Sequence, residues 1–252
     1  MRFGTGLLLA AAIGMSTQGA AAAEIKVLTT GAFKQVVVAL IPEFEKATGH
    51  KVVLDNGTVG QLIKRVDGGE TFDVLVLNPR GIENYIKTGK IVDGTGARVG
   101  KVGVGVMVKA GAPAPDVSTV DKFKETLLKA KTVGYIDPAS GGSSGIYVHG
   151  LLEKLGIAEQ IKPKARLKRG GHVSDLVVSG EVEVGIHQIS EIVSEKGVTL
   201  VGPLPAAIQN YTTYVVGLST AAKNADAARA FIRVLTGPSA PAVLKSKGME
   251  GA

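Results

Sequence analysis

Residues 25–77 read IKVLTTGAFKQVVVALIPEFEKATGHKVVLDNGTVGQLIKRVDGGETFDVLVL. Ile25-Lys26-Val27-Leu28 is a short run of strand type, and Thr29-Thr30-Gly31-Ala32 turns the chain. From Phe33 to Ala47 apolar residues recur at three- and four-residue spacing, which predicts a helix kinked at Pro42 and ended by Gly49. Lys51 to Leu54 is a second strand. Asn56-Gly57-Thr58 is a turn that supplies a helix N-cap, and Val59 to Val66 is the helix it starts. Gly68-Gly69 breaks that helix, and Phe72 to Leu77 is almost wholly apolar. An unbroken apolar strand is the pattern of a parallel strand covered on both faces. The stretch is therefore β-α-β-α-β, the start of an open α/β sheet.

A second such unit follows. Val102 to Val108 alternates Val with Gly or Met, and Ala112 to Pro115 is a loop. Thr119 to Ala130 reads as a helix, Thr132 to Ile136 as a strand, and Asp137 to Ser144 as a Gly/Ser loop before a helix over Ile146 to Leu155. Val173 to Ser179 is helical, Val182 to Ile186 is a strand, and Leu200-Val201 and Tyr211 to Leu218 are further strands. Ala225 to Leu235 and Ala240 to Lys247 close the chain as helices. Two α/β units of similar size predict two lobes. No fixed-period repeat points to a solenoid.

The N-terminus reads separately. Arg2, the apolar run Leu7 to Met15 and the small residues Ala20 to Ala23 form a secretory leader, expected to be cleaved after Ala23. Its apolar run is too short to span a bilayer, and no later stretch is long enough. In a bacterium this predicts a soluble periplasmic product. Losing Arg2 lowers the net charge from +7 to +6, an excess that suits an anionic partner. The absence of Cys excludes disulfides, thiolate metal sites and a Cys nucleophile. Aromatic residues are only 4 %, too few for a base-stacking surface, so nucleic acid is not the expected partner.

Four polar, Gly-rich turns lie where strands give way to helices: residues 29–32, 56–58, 140–145 and 169–172. Such turns aim free backbone N–H groups and hydroxyls from helix N-termini, which bind anions. In open sheets they gather at the carboxyl ends of the strands. For any one turn ordinary capping is the plainer account; four in one chain favour a shared site. None matches a phosphate-loop or dinucleotide fingerprint, no G-x-S-x-G elbow is present, and the four His lack metal-ligand spacing. No cofactor or metal is predicted.

These residues also carry a family resemblance. Ile25 to Phe33 is similar to the first strand and loop of periplasmic molybdate-binding-like proteins, and Phe44-Glu45-Lys46-Ala47-Thr48-Gly49-His50-Lys51-Val52 to their F-E-x-x-T-G-x-K-V segment. Asn56 to Gly60 and Gly69 to Val74 resemble the second loop and G-x-x-x-D-V. Asp137-Pro138, Gly145-Ile146-Tyr147, Leu155-Gly156, Ser179-Gly180-Glu181 and Gly185-Ile186 follow in the family's order. The resemblance spans nearly the whole mature chain. It implies a type II solute-binding protein: mixed, mostly parallel sheets with helices on both faces, and a ligand cleft between lobes. Lobe 1 would hold residues 24–103 and 214–252 and lobe 2 residues 104–213, with crossovers near Gly103-Val104 and Tyr211 to Tyr214. A monomer that hands a small anion to an ABC permease is the implied partner scheme. Ligand contacts would come from Thr30, Gly31, Ala32, Thr58, Val59, Asn78, Arg80, Ser143, Ser144, Gly170, Gly171, His187 and Gln188.

The departures bear on the ligand. Molybdate binders present a Ser at the end of the first loop, where this chain has Gly31 or Ala32. Arg80, Arg169 and His187 near the expected cleft favour an organic carboxylate, through charge-assisted bidentate bonds, over a molybdate-type oxyanion. The run Gly185-Ile186-His187-Gln188-Ile189-Ser190-Glu191 resembles the branch that includes aconitate isomerase. The alternative is therefore an isomerase of a tricarboxylate, with His187, His172 or Glu191 as base. Plainer accounts exist for each: His187 a satisfied strand-end histidine, Glu191 a helix-start residue, Arg80 solvated, and Lys162 to Arg169 a solvated basic connection.

Overall fold

The computed structural model describes residues 22–251, so the expected leader lies outside them except for Ala22 and Ala23. β1 (Glu24–Thr30), α1 (Gly31–Thr48), β2 (Lys51–Gly57), α2 (Val59–Asp67), β3 (Val74–Leu77) and α3 (Pro79–Lys87) lead into β4 (Ala97–Lys109). Then come α4 (Val120–Lys129), β5 (Val133–Ile136), α5 (Ser143–Lys154), α6 (Ala158–Ile161), β6 (Ala165–Lys168) and α7 (Ser174–Ser179). β7 (Val184–Gln188), α8 (Ile189–Val193), β8 (Val198–Pro203), β9 (Tyr211–Leu218), α9 (Ala225–Leu235) and α10 (Ala240–Ser246) complete the chain.

The strands run in the order β2-β1-β3-β9-β4-β7-β5-β6, with β8 also paired to β4. β1 pairs parallel with β2 and β3, and β5 parallel with β6 and β7. The antiparallel strands β4 and β9 lie between these two parallel sets. The short β3 shows why its sequence is unbroken: Val74 and Val76 enter one core with α1 and α9, while Leu75 and Leu77 enter another with α2 and α3. A period of two with both faces covered needs apolar residues at every position.

β4 changes partners along its length. Ala97 to Gly103 pairs with β9, and Val104 to Met107 pairs with β7. The cores divide at the same place, with Val99 and Val102 in one cluster and Val104, Val106 and Val108 in another. Gln209 secures the change: its Oε1 accepts from Val104 N–H and its Nε2 donates to the Val104 carbonyl, both at 2.9 Å. A side-chain amide replaces a ladder rung where the backbone leaves one partner for the next.

Several local expectations need correction. α1 starts at Gly31 and runs without interruption through Pro42, ending where Gly49 takes φ 72° and donates to the Glu45 carbonyl. The helix α3 was not anticipated, although Asn78-Pro79 is a helix-start signature: Asn78 Oδ1 accepts from Gly81 N–H and Pro79 fills a position that needs no donor. The basic stretch 162–169 is not only a connection, because Ala165–Lys168 forms the edge strand β6 on β5. Lysine and arginine on an exposed edge discourage pairing with another chain. β4 begins five residues before its expected start, and Phe72 and Asp73 precede β3 rather than joining it.

Candidate anion-binding site

A cavity of about 50 Å3 lies between the ends of the two parallel strand sets. At roughly 10–15 Å3 for each water-sized group, it holds about three to five of them. Thr30, Gly31 and Ala32 reach it from the β1–α1 junction, and Asn56 to Val59 from the β2–α2 turn. Ile136, Gly142, Ser143 and Ser144 come from the β5–α5 connection, and Gly171 and His172 from the loop before α7. His187 and Gln188 end β7, Glu191 lies on α8 and Tyr214 on β9. The sequence-predicted Thr30, Gly31, Ala32, Thr58, Val59, Ser143, Ser144, Gly171, His187 and Gln188 thus line one cavity.

Three predicted contacts lie elsewhere. Asn78 spends its side-chain oxygen on the cap of α3, and Arg80 is exposed on that helix. Gly170, at φ 142°, packs toward the Gln61 amide outside the cavity. Arg169 is also outside, with its side chain 87 % exposed and its Nε 3.2 Å from Asp137. Among the described residues, no Lys or Arg lines the cavity. The cations that favoured a carboxylate ligand are therefore not in contact with the site. Ile136 and Tyr214 line it from outside every expected turn, whereas Asn56, Gly57, Gly142 and His172 belong to the turns expected to gather at the site, and His172 and Glu191 are among the bases named for the isomerase alternative. Tyr214 carried no local signal, since it is simply one position of an apolar strand.

The helix ends give this cation-free cavity a partial positive character. α1 and α5, 18 and 12 residues long, both begin at the cavity with no side-chain cap. Their first-turn N–H groups and dipoles are turned on the enclosed space. α2 differs, because Thr58 and Gln61 form a reciprocal capping box there. Thr58 also donates its hydroxyl to the Ser140 carbonyl, which commits it to a contact across the cleft.

The side chains add unmet hydrogen-bonding capacity. Gln188 Oε1 is buried with no partner, and Thr30 Oγ1 and His187 Nε2 are buried without a hydrogen bond of good geometry, the first beside the Tyr214 phenol and the second beside the Gly171 backbone. Native interiors rarely leave such groups under-satisfied, so three around one cavity mark it as built for a polar guest. Burial, followed by the neighbouring His172, pushes His187 down to about 3, against an opposing backbone contact at Gly171. Burial, followed by Glu195, pushes Glu191 up to about 8, against the opposing pull of Lys34. Near neutral pH the imidazole and the carboxyl are both uncharged. Burial also holds the Tyr214 phenol far above its ordinary range.

The family profile described as bacterial extracellular solute-binding protein matches residues 25–250. The chain belongs to the bacterial extracellular solute-binding protein family. The chain is 29 % identical over 232 residues to the aconitate isomerase of Pseudomonas sp, covering 90 % of this chain and 87 % of that one. It is 27 % identical over 253 residues to the molybdate-binding protein ModA of Azotobacter vinelandii, covering 96 % of each. The solved periplasmic molybdate-binding protein of Azotobacter vinelandii superposes with a TM-score of 0.74 at 18 % identity, covering 89 % of this chain and 98 % of that one. That likeness establishes the two-lobed α/β architecture of periplasmic binding proteins for this solute-binding protein.

In this solute-binding protein the two walls of the cleft touch. Gly60 N–H donates to the Gly141 carbonyl at 3.2 Å, and Gln61 Nε2 donates to the Arg169 carbonyl at 2.9 Å. A Cβ on Gly60 would stand 2.8 Å from Gly141 Cα, so glycine is what permits the approach. With the Thr58–Ser140 bond, these contacts close the cavity on one side.

Proposed function

We propose that this protein is exported to the periplasm, where it captures a compact anion and delivers it to an ABC uptake permease. The observation that carries the reading is the convergence of two long, uncapped helix N-termini with three under-satisfied buried polar atoms on one small cavity. The lobes are residues 24–103 with 214–252 and residues 104–213, swinging about Gly103-Val104 and the start of β9. Closure follows from differential affinity, since only the closed form brings both helix ends to the anion. The cavity volume suits a tetrahedral oxyanion or a carboxylate of a few atoms. The leader, of which only the last two residues are described, supports the compartment.

The test is a melting panel on the mature protein with molybdate, sulfate, citrate, and cis- and trans-aconitate. A ligand at a hundredfold excess over Kd adds about 2.7 kcal/mol, or roughly 5–10 °C in a chain of this size. A saturable rise with at least one of these anions is expected. No rise with any of them overturns the anion reading.

A second reading has its own support in the opposed behaviour of two adjacent buried groups, Glu191 and His187, which is how acid and base roles are assigned. As an isomerase, Glu191 in its ionised form, which gains population as pH approaches about 8, would take a proton from the methylene carbon of cis-aconitate. The electron pair would shift along the allylic unit, and a proton would return to the former vinyl carbon. A tricarboxylate exceeds the closed cavity, so turnover would require opening. Formation of trans-aconitate, followed by proton NMR and lost in Glu191→Gln, would establish this activity; its absence at high protein concentration rejects it.

A further inference from the structure

Glu191 is an unusual wall for an anion site. Its carboxyl approaches the very start of α1, with Oε1 2.7 Å from where a Cβ of Gly31 would stand. Any side chain at position 31 would displace it, so the carboxyl occupies the space a first-loop side chain would fill. Its Oε2 lies 3.4 Å from His187 Nδ1. That nitrogen already accepts a hydrogen bond from Gln188 N–H at 2.9 Å, which assigns the imidazole proton to Nε2. Oε2 and Nδ1 therefore face each other as two acceptors, a repulsion that ionising the carboxyl would increase, and the carboxyl proton is left to Oε1 and the cavity. Among the described residues, no cation is salt-bridged to Glu191.

We propose that Glu191 couples anion capture to a proton: the carboxyl meets the anion as a neutral hydrogen-bond donor, and the closed cleft holds one anion and one proton together. This rests on the anion-binding reading above. An ionised carboxylate at the same helix end would repel the guest, in a buried space with little screening. The other titratable groups that face Glu191 do not supply a substitute charge. His187 on β7 is neutral, Tyr214 on β9 keeps its phenolic proton, and His172 stands on the opposite loop. Glu195, further along the chain past α8, opposes ionisation, whereas Lys34 on α1 favours it from outside the cavity lining.

The sign follows directly. Glu191 in the free protein titrates near 8, and a neighbouring anion raises that value further. Above this range the complex holds more protons than the free protein, so affinity falls as pH rises. Between about pH 7 and about pH 9.5 the apparent Kd rises roughly 30-fold, approaching tenfold per pH unit at the upper end.

Calorimetry with molybdate, sulfate and trans-aconitate, all fully ionised across that window, tests the idea in buffers of differing ionisation enthalpy. Uptake of close to one proton per anion near pH 9 is expected for the wild type. Glu191→Gln keeps a neutral donor, so it should bind with no proton uptake and with affinity constant within about twofold. Saturable wild-type binding with no proton uptake and a flat pH profile overturns the proposal while leaving the anion reading intact. No saturable binding of any probe by wild type or Glu191→Gln near pH 7 overturns both. The wild-type measurement stands alone should the variant fail to fold.

Discussion

Replacing Gly60 by Ala separates closure of the cleft from the chemistry inside it. Gly60 sits in the first turn of α2 with ordinary helical backbone, so alanine is locally welcome and favours the helix by up to about 1 kcal/mol. The added methyl, however, meets Gly141 Cα at 2.8 Å and the Ser140 carbonyl oxygen at 3.0 Å. Both are backbone atoms of the opposite wall, and relief requires the walls to part by about 1 Å to reach ordinary carbon–carbon contact. That retreat breaks the Gly60–Gly141, Thr58–Ser140 and Gln61–Arg169 bonds together. At about 0.5–1.5 kcal/mol net for each bond, closure loses about 1.5–4.5 kcal/mol. Affinity for the anion should fall between about tenfold and a thousandfold. Calorimetry with the anion that saturates the wild type gives the value, and a melt without ligand gives stability, which should be unchanged or slightly raised. Gly150→Ala, on the open face of α5 with nothing nearby, is the matched control and should bind normally. Wild-type affinity in Gly60→Ala would refute the latch.

Three other outcomes follow from the same geometry. Gly145→Ala places a Cβ 2.2 Å from the Ile136 carbonyl oxygen, so α5 must lift from β5; a loss of about 1–3 kcal/mol, several degrees in Tm, is expected, and an unchanged melt would contradict the packing. The Arg65 guanidinium, followed by Lys26, holds the Glu70 carboxyl down to about 2. Its folded value lies below its unfolded one, so the stabilisation is present above about pH 4.5 and is lost as pH falls toward about 2. Melts of Glu70→Gln should show a shallower decline across that window than the wild type, and equal slopes would remove the network from the account. Arg80→Ala should leave anion affinity within about twofold, because the side chain is exposed on α3 away from the cavity. A loss of tenfold or more would return Arg80 to the site.

Much of the site was legible because its chemistry is local. Thr30-Gly31-Ala32, Thr58 and Ser143-Ser144 each sit at a strand-to-helix junction that turn residues announce, and each reaches the cavity. Arg80 and Asn78 misled for a related reason. They follow a buried strand, as site residues do, but Asn78-Pro79 starts a helix that turns Arg80 to solvent. Tyr214 shows the opposite failure. Nothing in its neighbourhood along the chain distinguishes it, and it becomes a site residue only because β9 flanks β4 on the side away from β7. Glu191 is legible through the resemblance of its run, but its contact with Gly31 is not.

The sequence by itself determined the α/β class, the two units and the four polar turns, because periodicity and turn chemistry are properties of neighbouring residues. It gave no account of charge in the cleft. Arg169 is two positions from Gly171 yet outside the cavity, and Arg80 follows a buried strand yet faces solvent, whereas Glu191 is brought against Gly31 from 160 positions away. Whether a carboxyl or an imidazole is ionised depends on the water and charges removed around it, and packing between distant segments decides that. Tertiary structure therefore turned an expected cationic site into a neutral one with a proton at its wall.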